Sequence, residues 1–431
     1  METTSVPAQP LKGASQFVTI GIIGVMFFIF GFVTWLNGPL ITFVKLAFTL
    51  SDVEAFLVPM VFYMSYFFLA LPSAFILKRT GMKKGMALGL LVMAIGAAIF
   101  GQLATMRIFE GALTGLFIIG AGLAVLQTAA NPYISIVGPI ESAAQRIAVM
   151  GFFNKFAGIL APIVIGALVL QGVGELDAQV AAATTPEAKD ALLNAFAAKI
   201  QYPYLAMAGF LALLALFVLK SPLPEIKGES KVADSGANGG KSLFSYPHLW
   251  LGVVCLFLYV GVEVMAGDAI GTYGHAFGLP IEQTAYFTSF TLVGMLVGYI
   301  VGLIVIPKFA SQERYLGFSA MLGVAFVIGA YFTRDYVSVG FVAALGFANA
   351  MMWPAIFPLA IRGLGRHTET GSAIMIMGIC GGAIIPQAFV VLKETYDFQL
   401  VFLALMVPAY LYILFFAIIG SKAGTRKVAG Q

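Results

Sequence analysis

Two amide side chains lie one helical turn apart in a strongly apolar part of the chain. The segment QTAANPYI places Gln127 and Asn131 at positions i and i+4, and Pro132 removes a backbone hydrogen bond beside them. Paired amide donors and acceptors suit the hydroxyl groups of a neutral ligand. Hydrogen bonding between neighbouring helices is the alternative, and we favour the ligand.

Further amide and aromatic side chains lie within apolar runs. A ring beside an amide suits a sugar, because C–H groups pack on the ring and hydroxyl groups bond to the amide. Trp35 could instead anchor a helix at the membrane interface, and Trp353 could be a packing residue. The residues for which we predict substrate contacts, besides Gln127 and Asn131, are Trp35, Asn37, Asn154, Tyr259, Asn349 and Trp353.

Three ionisable residues are candidates for ion coupling: Lys155, Glu263 and Asp268. Lys155 lies in the middle of an apolar run, where a cation is costly and needs a partner. Glu263 has three open interpretations: it carries a coupling proton, helps to bind Na⁺, or neutralises Lys155. Asp268 follows about 8 Å further along the same helix, where we expect it to face water.

The composition requires a membrane environment for these residues. The chain has 431 residues, of which 60% are hydrophobic and 10% charged, with a mean hydropathy of +0.96. A soluble protein carries about 25% charged residues. The first apolar run is too long for a signal-peptide core and has no small-residue cleavage site, so we expect it to be retained.

Apolar runs of bilayer length predict an all-α polytopic membrane protein with twelve transmembrane spans in two six-helix bundles. Two connections between spans are long. Residues 172–200 are Ala-rich and amphipathic, which predicts one helix at the membrane interface between spans 5 and 6. Residues 221–246 have linker composition. The predicted parts are a cytoplasmic tail (1–16), an N-terminal bundle (17–220, including the extracellular segment 172–200), a cytoplasmic linker (221–246), a C-terminal bundle (247–420) and a cytoplasmic tail (421–431). The predicted spans are 17–44, 53–77, 85–105, 111–137, 147–171, 201–220, 249–273, 283–307, 314–333, 337–361, 370–392 and 399–420.

Loop charge predicts the orientation. Most of the 24 Lys and Arg residues fall on the side that holds both termini and the linker, which the positive-inside rule makes cytoplasmic. We therefore expect a multi-pass inner-membrane protein.

The two halves repeat a pattern weakly. NPYISIVG is followed by a loop with Arg146 and then GILAP, while WPAIFPLAIRGLG is followed by a loop with Arg366 and then GGAIIP. Related halves around a midplane site are typical of transporters. The alternative is chance, because Pro and Gly are common in membrane helices.

Several function classes are disfavoured. The chain has no GxxxxGK[ST] phosphate loop, no metal-ligand spacing and no nucleophile constellation, so we expect neither an ATP-driven pump nor an enzyme. Its net charge of +4 lies in loops and fits topology rather than nucleic-acid binding. The expected partners are a small sugar, a co-transported Na⁺ or H⁺ and the lipid bilayer, with no cofactor and a monomeric carrier.

Four motifs resemble the fucose–galactose–glucose symporter family of the major facilitator superfamily: QTAANPYI, FFIFGFVTWLNGPLI, FLYVGVEV and WPAIFPLAIRGLG. The resemblance covers nearly all twelve spans. It implies the major facilitator fold, which is two pseudo-symmetric six-helix bundles whose spans 1, 4, 7 and 10 line a central cavity, and a sugar as the cargo.

The residues depart from the fucose branch of that family. Gln127 replaces the Glu that opens the branch's ETAANPY motif, and Gly38 replaces an Asp in span 1. Asn154 matches the asparagine of the family in span 5. Trp353 stands where the family has a tyrosine in span 10, and Lys155 is unusual for the fucose branch. The pattern is more similar to the glucose/galactose or N-acetylglucosamine branch, with Glu263 as the evident ion-binding group.

The expected function is import of a neutral hexose or N-acetylhexosamine by alternating access, coupled to a Na⁺ or H⁺ gradient. Alternatives are a uniporter in which Glu263 and Lys155 form a structural pair, an efflux carrier for sugars or drugs, and a sugar receptor without transport. Exporters favour apolar, aromatic pockets. The many amide side chains among the candidate residues therefore favour import of a sugar over export.

Overall fold

The computed structural model describes residues 14–136, 143–225 and 242–424, and these residues are almost wholly helical. The N-terminal half contains α1 (Ala14–Thr34), α2 (Asn37–Ala47), α3 (Asp52–Ala55), α4 (Leu57–Thr80), α5 (Met82–Thr105), α6 (Phe109–Ile136), α7 (Ala143–Leu168), α8 (Val173–Ala182), α9 (Pro186–Ala198) and α10 (Gln201–Lys220). The C-terminal half contains α11 (Pro247–Gly267), α12 (Ile270–His275), α13 (Ile281–Thr284), α14 (Phe287–Lys308), α15 (Gln312–Phe332), α16 (Asp335–Asn349), α17 (Met352–Ile361), α18 (Thr368–Met377), α19 (Gly381–Leu392) and α20 (Phe398–Ile418).

Within the described residues, these helices make eleven segments long and apolar enough to cross a membrane. The pair α16 and α17, bent by 40° at a short break, makes the twelfth. All twelve predicted spans are present, which confirms the predicted fold class. Helix direction alternates from span to span, so the molecule has two ends. We call the end with Thr80, Lys220 and Pro247 the linker face, and the end with Asp52, Arg107 and Asp397 the distal face.

The breaks in the spans do not fall at Pro132 or Pro354. Helix α6 runs through Pro132 without interruption. Span 10 breaks before its proline rather than at it, and Pro354 lies in the first turn of α17, where the missing N–H leaves no hydrogen bond unmade. Spans 1 and 7 break near the distal face, at Trp35 and at Asp268.

The break in span 7 is stabilised by its neighbour α14. The Thr291 hydroxyl donates to the Ala266 carbonyl oxygen at 2.7 Å, and the Thr288 hydroxyl donates to that of Gly267 at 2.8 Å. These carbonyls are the ones that a helix end leaves without intrahelical donors. Backbone polar groups must be satisfied inside the protein at membrane depth, so the two threonines make an interrupted helix tolerable.

Small residues allow close packing within the N-terminal half. Helices α5 and α6 meet at Gly89 and Gly122, and a Cβ added to Gly89 would lie 2.7 Å from the Gly122 carbonyl oxygen. That separation is shorter than a van der Waals contact. Small residues at helix interfaces are how membrane helices gain packing contacts that lipid cannot supply.

The connections also differ in part from expectation. Segment 172–200 is two helices, α8 and α9, rather than one, because Pro186 starts a new helix whose Ala188 N–H donates to the Thr185 side chain at 3.2 Å. Its place at a membrane interface stays a prediction. The start of the predicted linker packs on the N-terminal half, where the Tyr133 hydroxyl donates to the Pro224 carbonyl at 3.0 Å. Most of the predicted linker, residues 226–241, lies outside the described residues. So do most of both predicted tails.

Candidate functional site

A cavity of about 110 Å³ lies between the two halves at mid-depth. A buried water needs about 10–15 Å³, so the cavity has room for several waters or a small polar ligand. Spans 1, 4, 7 and 10 contribute, as the resemblance implies, and so do spans 2, 5, 8 and 11. Its lining includes the predicted residues Trp35, Gln127, Asn131, Asn154, Lys155, Tyr259, Glu263 and Trp353.

The amides of span 4 line this cavity, although the Gln127 amide is also hydrogen-bonded to a tyrosine of α4. Gln127 and Asn131 are half-buried and lie one turn apart on α6. The Gln127 Nε2 donates to the Tyr66 hydroxyl at 3.1 Å, so the alternative of a hydrogen bond between helices is formed in this conformation, and ligand contact stays a prediction. Asn154 on α7 adds a further half-buried amide to the lining.

Three tyrosines of the lining were not predicted from the sequence: Tyr63 and Tyr66 of α4 and Tyr299 of α14. Their hydroxyl groups add donors and acceptors suited to a polyhydroxylated ligand. The stretch FYMSYFF around the first two is typical of any membrane helix. The i,i+3 spacing of Tyr63 and Tyr66 was the one signal available, and it does not distinguish a cavity from a packed face.

Aromatic rings form two walls of the cavity. Trp353 is half-buried and stacks on Phe357, with ring centroids 5.9 Å apart and planes inclined by 13°. Trp35 lies at the break of span 1 and is buried to 2% exposure, which excludes the role of an anchor at the lipid interface. A flat ring next to amides is the arrangement that we expect for binding the C–H face of a sugar.

A buried ion pair joins the two halves across the cavity. Lys155 of α7 donates to the Glu263 carboxylate of α11 at 2.7 Å, with side chains 9% and 11% exposed. The Lys155 ammonium also lies 4.5 Å from the centroid of the Trp35 ring, within the range of a cation–π interaction. Of the three interpretations of Glu263, neutralisation of Lys155 is therefore formed in this conformation.

Three predicted site residues lie outside the cavity lining. The Asn349 Oδ1 accepts a hydrogen bond from Tyr410 at 2.8 Å within the C-terminal half, and Asn37 is buried at the start of α2. The expectation that Asp268 faces water is wrong. Its side chain is 2% exposed, because it turns into the protein at the break of span 7, where the Tyr63 hydroxyl donates to it at 3.3 Å.

Polar contacts between the halves cluster on the distal side of the cavity. Asp52 pairs with Lys393 of the other half and with Lys45 at 2.6 Å. The Gln387 amide donates to the Val53 carbonyl at 3.1 Å. On the linker side of the cavity, Gln127, Asn131 and Ile147 are half-buried. The cavity is thus closed toward the distal face and has its more accessible residues toward the linker face.

This architecture, with two helical halves around a midplane polar cavity, defines a membrane transporter rather than an enzyme. The chain belongs to the major facilitator superfamily, since the sequence model of the Major Facilitator Superfamily matches residues 23–387.

Its similar proteins confirm the predicted resemblance to the fucose–galactose–glucose symporter family. The chain is 33% identical to a glucose/galactose transporter of Brucella abortus over 92% of this chain and 93% of that one. It is 31% identical to a putative glucose/galactose transporter of Helicobacter pylori, over 96% and 99% of the two chains. An L-fucose-proton symporter of Escherichia coli is 28% identical over 87% and 86%.

A solved structure agrees with the fold. The crystal structure of the major facilitator superfamily transporter FucP in the outward conformation matches with a TM-score of 0.74 and 26% identity, covering 94% of this chain and 98% of that one. Among the described residues, no group of three or more His, Cys, Asp and Glu side chains is placed to hold a metal ion.

Proposed function

We propose that this protein is a secondary active transporter that imports a neutral hexose or N-acetylhexosamine by alternating access, coupled to a Na⁺ or H⁺ gradient. The observation that carries the proposal is the midplane cavity, in which amides and tyrosine hydroxyls face a tryptophan wall. The names of the glucose/galactose transporters at 33% and 31% identity support the cargo class.

In this proposal the cavity residues make different kinds of contact with the sugar. Gln127, Asn131 and Asn154 hydrogen-bond to sugar hydroxyls, with Tyr66 holding the Gln127 amide in place. Trp353 packs on the C–H face of the ring. Trp35 and Tyr259 form the part of the cavity wall that lies next to the Lys155–Glu263 pair. Asn37 and Asn349, which lie outside the lining here, contribute to binding in another conformation of the cycle.

Alternating access requires the contacts near the distal face to break. In the proposed orientation the linker face is cytoplasmic, the distal face is extracellular, and the conformation described above is closed to the outside. Opening outward separates Asp52 from Lys393 and Gln387 from the Val53 carbonyl. The halves then rotate about the central site, as in other transporters built from structural repeats.

The test is uptake of labelled glucose, galactose and N-acetylglucosamine into proteoliposomes that hold the purified protein. Gln127→Ala removes one neutral hydrogen bond and should raise the half-saturating sugar concentration about 2- to 10-fold. Gln171→Ala is the matched control, because Gln171 is exposed and lies outside the cavity lining. Unchanged binding and transport in Gln127→Ala would refute the assignment of span 4, and no counterflow of any of these sugars would refute the function.

A uniporter is the second candidate, and one observation favours it. Glu263 already has a partner in Lys155 at 2.7 Å, so its charge is accounted for without a coupling ion. Wild-type protein that equilibrates sugar under pH and Na⁺ gradients without accumulating it would establish uniport. Accumulation that is lost in Glu263→Gln, while counterflow is kept, would instead make Glu263 the coupling site.

A further inference from the structure

Asp268 belongs to a buried polar cluster at the break of span 7, on the distal side of the cavity. The Tyr63 hydroxyl donates to its Oδ2, whereas its Oδ1 lacks a partner of good geometry, although the backbone N–H of Gly38 at the start of α2 approaches the carboxylate. The neighbouring Asn37 is 1% exposed, and its Nδ2 also lacks a partner of good geometry, although its side chain approaches Tyr63. Buried polar atoms without partners are rare and costly. Two in one cluster therefore indicate a function rather than simple packing.

Among the described residues, no basic side chain is free to balance the charge of Asp268. The charged or titratable groups that act on it are Tyr63 from α4, Lys155 from α7 and Glu263 from its own helix. Lys155 is already bound to Glu263 at 2.7 Å. Uncharged groups complete the cluster: the Gly38 backbone of α2 approaches Asp268, Asn37 approaches Tyr63, and the Thr288 hydroxyl of α14 lies beside Gly38. An uncompensated buried carboxylate is strongly destabilising.

The cluster offers a site for a proton rather than for a metal cation. A Cβ added to Gly38 would lie 3.4 Å from the Asp268 Oδ1, so the side chain fills the space beside the helix start. Asp268 is also absent from the cavity lining. A metal cation needs a shell of several oxygen ligands with room around it, whereas a proton bound to one carboxylate oxygen needs neither.

We propose that Asp268 is the proton-binding carboxyl group of the transport cycle, and that the Lys155–Glu263 pair remains a fixed charge pair. The inference rests on the proposed transport function and names its coupling ion. With the distal side open, one O–H bond of a hydronium ion in the outside solution breaks to leave water, and an O–H bond forms on the Asp268 carboxylate. Closure then buries the neutral acid, which avoids the cost of burying the anion.

Tyr63 connects this cluster to the cavity. Its hydroxyl donates to Asp268, and its side chain also lines the cavity. The O–H bond of Asp268 breaks when its proton passes to cavity water next to Tyr63, and the proton leaves on the linker side. A sugar that contacts Tyr63 would thereby sense whether Asp268 is protonated, which is the link that symport requires.

Proteoliposomes with wild-type protein or Asp268→Asn test the proposal, with the sugar of strongest wild-type counterflow among glucose, galactose and N-acetylglucosamine. We expect Asp268→Asn to keep counterflow, to lose accumulation driven by a pH gradient, and to lose sugar-induced proton uptake. Asp335→Asn is the control, because Asp335 is exposed on the distal face and its φ of 51° suits Asn. Accumulation that persists in Asp268→Asn, or wild-type accumulation that follows Na⁺ and not pH, would overturn the proposal.

A second measurement uses the wild-type chain alone, for the case in which Asp268→Asn shows no transport. An apolar carbodiimide reacts with protonated carboxyl groups in apolar surroundings, and peptide mass spectrometry locates the product. We expect Asp268 to be labelled more than Glu263, increasingly as the pH is lowered. Labelling of Glu263 in preference to Asp268, or labelling of Asp268 that does not change with pH, would refute the proton site. Labelled Asp268 in a protein without sugar counterflow would keep the proton site and reject the sugar.

Discussion

Breaking the ion pair at the centre of the cavity should destabilise the fold more than breaking an exposed pair. Lys155 and Glu263 lie 2.7 Å apart. At this separation the Coulomb attraction is about 6 kcal/mol for an effective dielectric constant near 20. Burial of two charges offsets much of that gain. Removing one partner leaves the other charge buried and alone, which costs about 3–5 kcal/mol in well-buried sites. We expect a value near the low end, because both side chains line the cavity and are 9% and 11% exposed.

The variants form a cycle with an internal control. Glu263→Gln and Lys155→Met should each lower the thermal unfolding midpoint clearly, and the double variant should recover most of the loss, since no uncompensated charge remains. Glu313→Gln is the control. It breaks the Arg362–Glu313 pair, which has a similar distance of 2.9 Å but side chains 51% and 23% exposed, and exposed pairs contribute at most about 1 kcal/mol.

The chain provides its own probe for this assay. Its two cysteines, Cys255 and Cys380, are free and buried, so a thiol-reactive fluorogenic dye in detergent reports unfolding. If Glu263→Gln unfolds at the same temperature as Glu313→Gln, or if the double variant is as unstable as the sum of the single ones, the pair is not the buried, mutually dependent unit described above.

Three further outcomes follow from the structure. Trp353→Ala should raise the half-saturating sugar concentration about 10-fold, while Trp353→Tyr keeps a ring and most of the binding; equal effects in uptake assays would exclude a stacking role. Lys393→Ala should weaken distal closure, because Asp52 then loses its partner in the other half. To measure this, a cysteine is placed at position 53 and labelled with an impermeant thiol reagent. Faster labelling in Lys393→Ala would show that distal closure is weaker, and an unchanged labelling rate would contradict the prediction. Gly122→Leu should abolish stable expression, because its Cβ would meet α5 backbone and side-chain atoms, whereas Gly209→Leu, with open space around the Cβ, should express normally.

The spans could be predicted because bilayer thickness fixes the length of an apolar helix. Each predicted span coincides with an observed helix or helix pair. The breaks could not be predicted in the same way. Pro132 marks no interruption, whereas span 7 breaks where threonines of another helix bind its free carbonyls. That stabilisation depends on which residues of α14 face the break, and no local pattern contains this information.

The candidate site was predictable to the extent that polar residues are unusual in membrane helices. Gln127, Asn131 and Lys155 line the cavity because burial in lipid would be costly. Asp268 was misplaced because its distance along the helix gave its depth but not its direction. Tyr63, Tyr66 and Tyr299 were not predicted as cavity residues, because Tyr is common in membrane helices with or without a ligand nearby. The division of segment 172–200 was foreseeable, since Thr185-Pro186 is a helix start signal.

The arrangement of the three tryptophans gives the protein an intrinsic optical report of cavity occupancy. Trp35 and Trp353 line the cavity, while Trp250 stacks on Phe244 at the linker face, with ring centroids 5.2 Å apart. A ligand that displaces water from the two cavity indoles changes the polarity around them, and their emission shifts with it. The emission of Trp250 stays constant, so Trp250→Phe should remove background without removing the response. Binding of each sugar could then be titrated in detergent, without labels and without a membrane gradient.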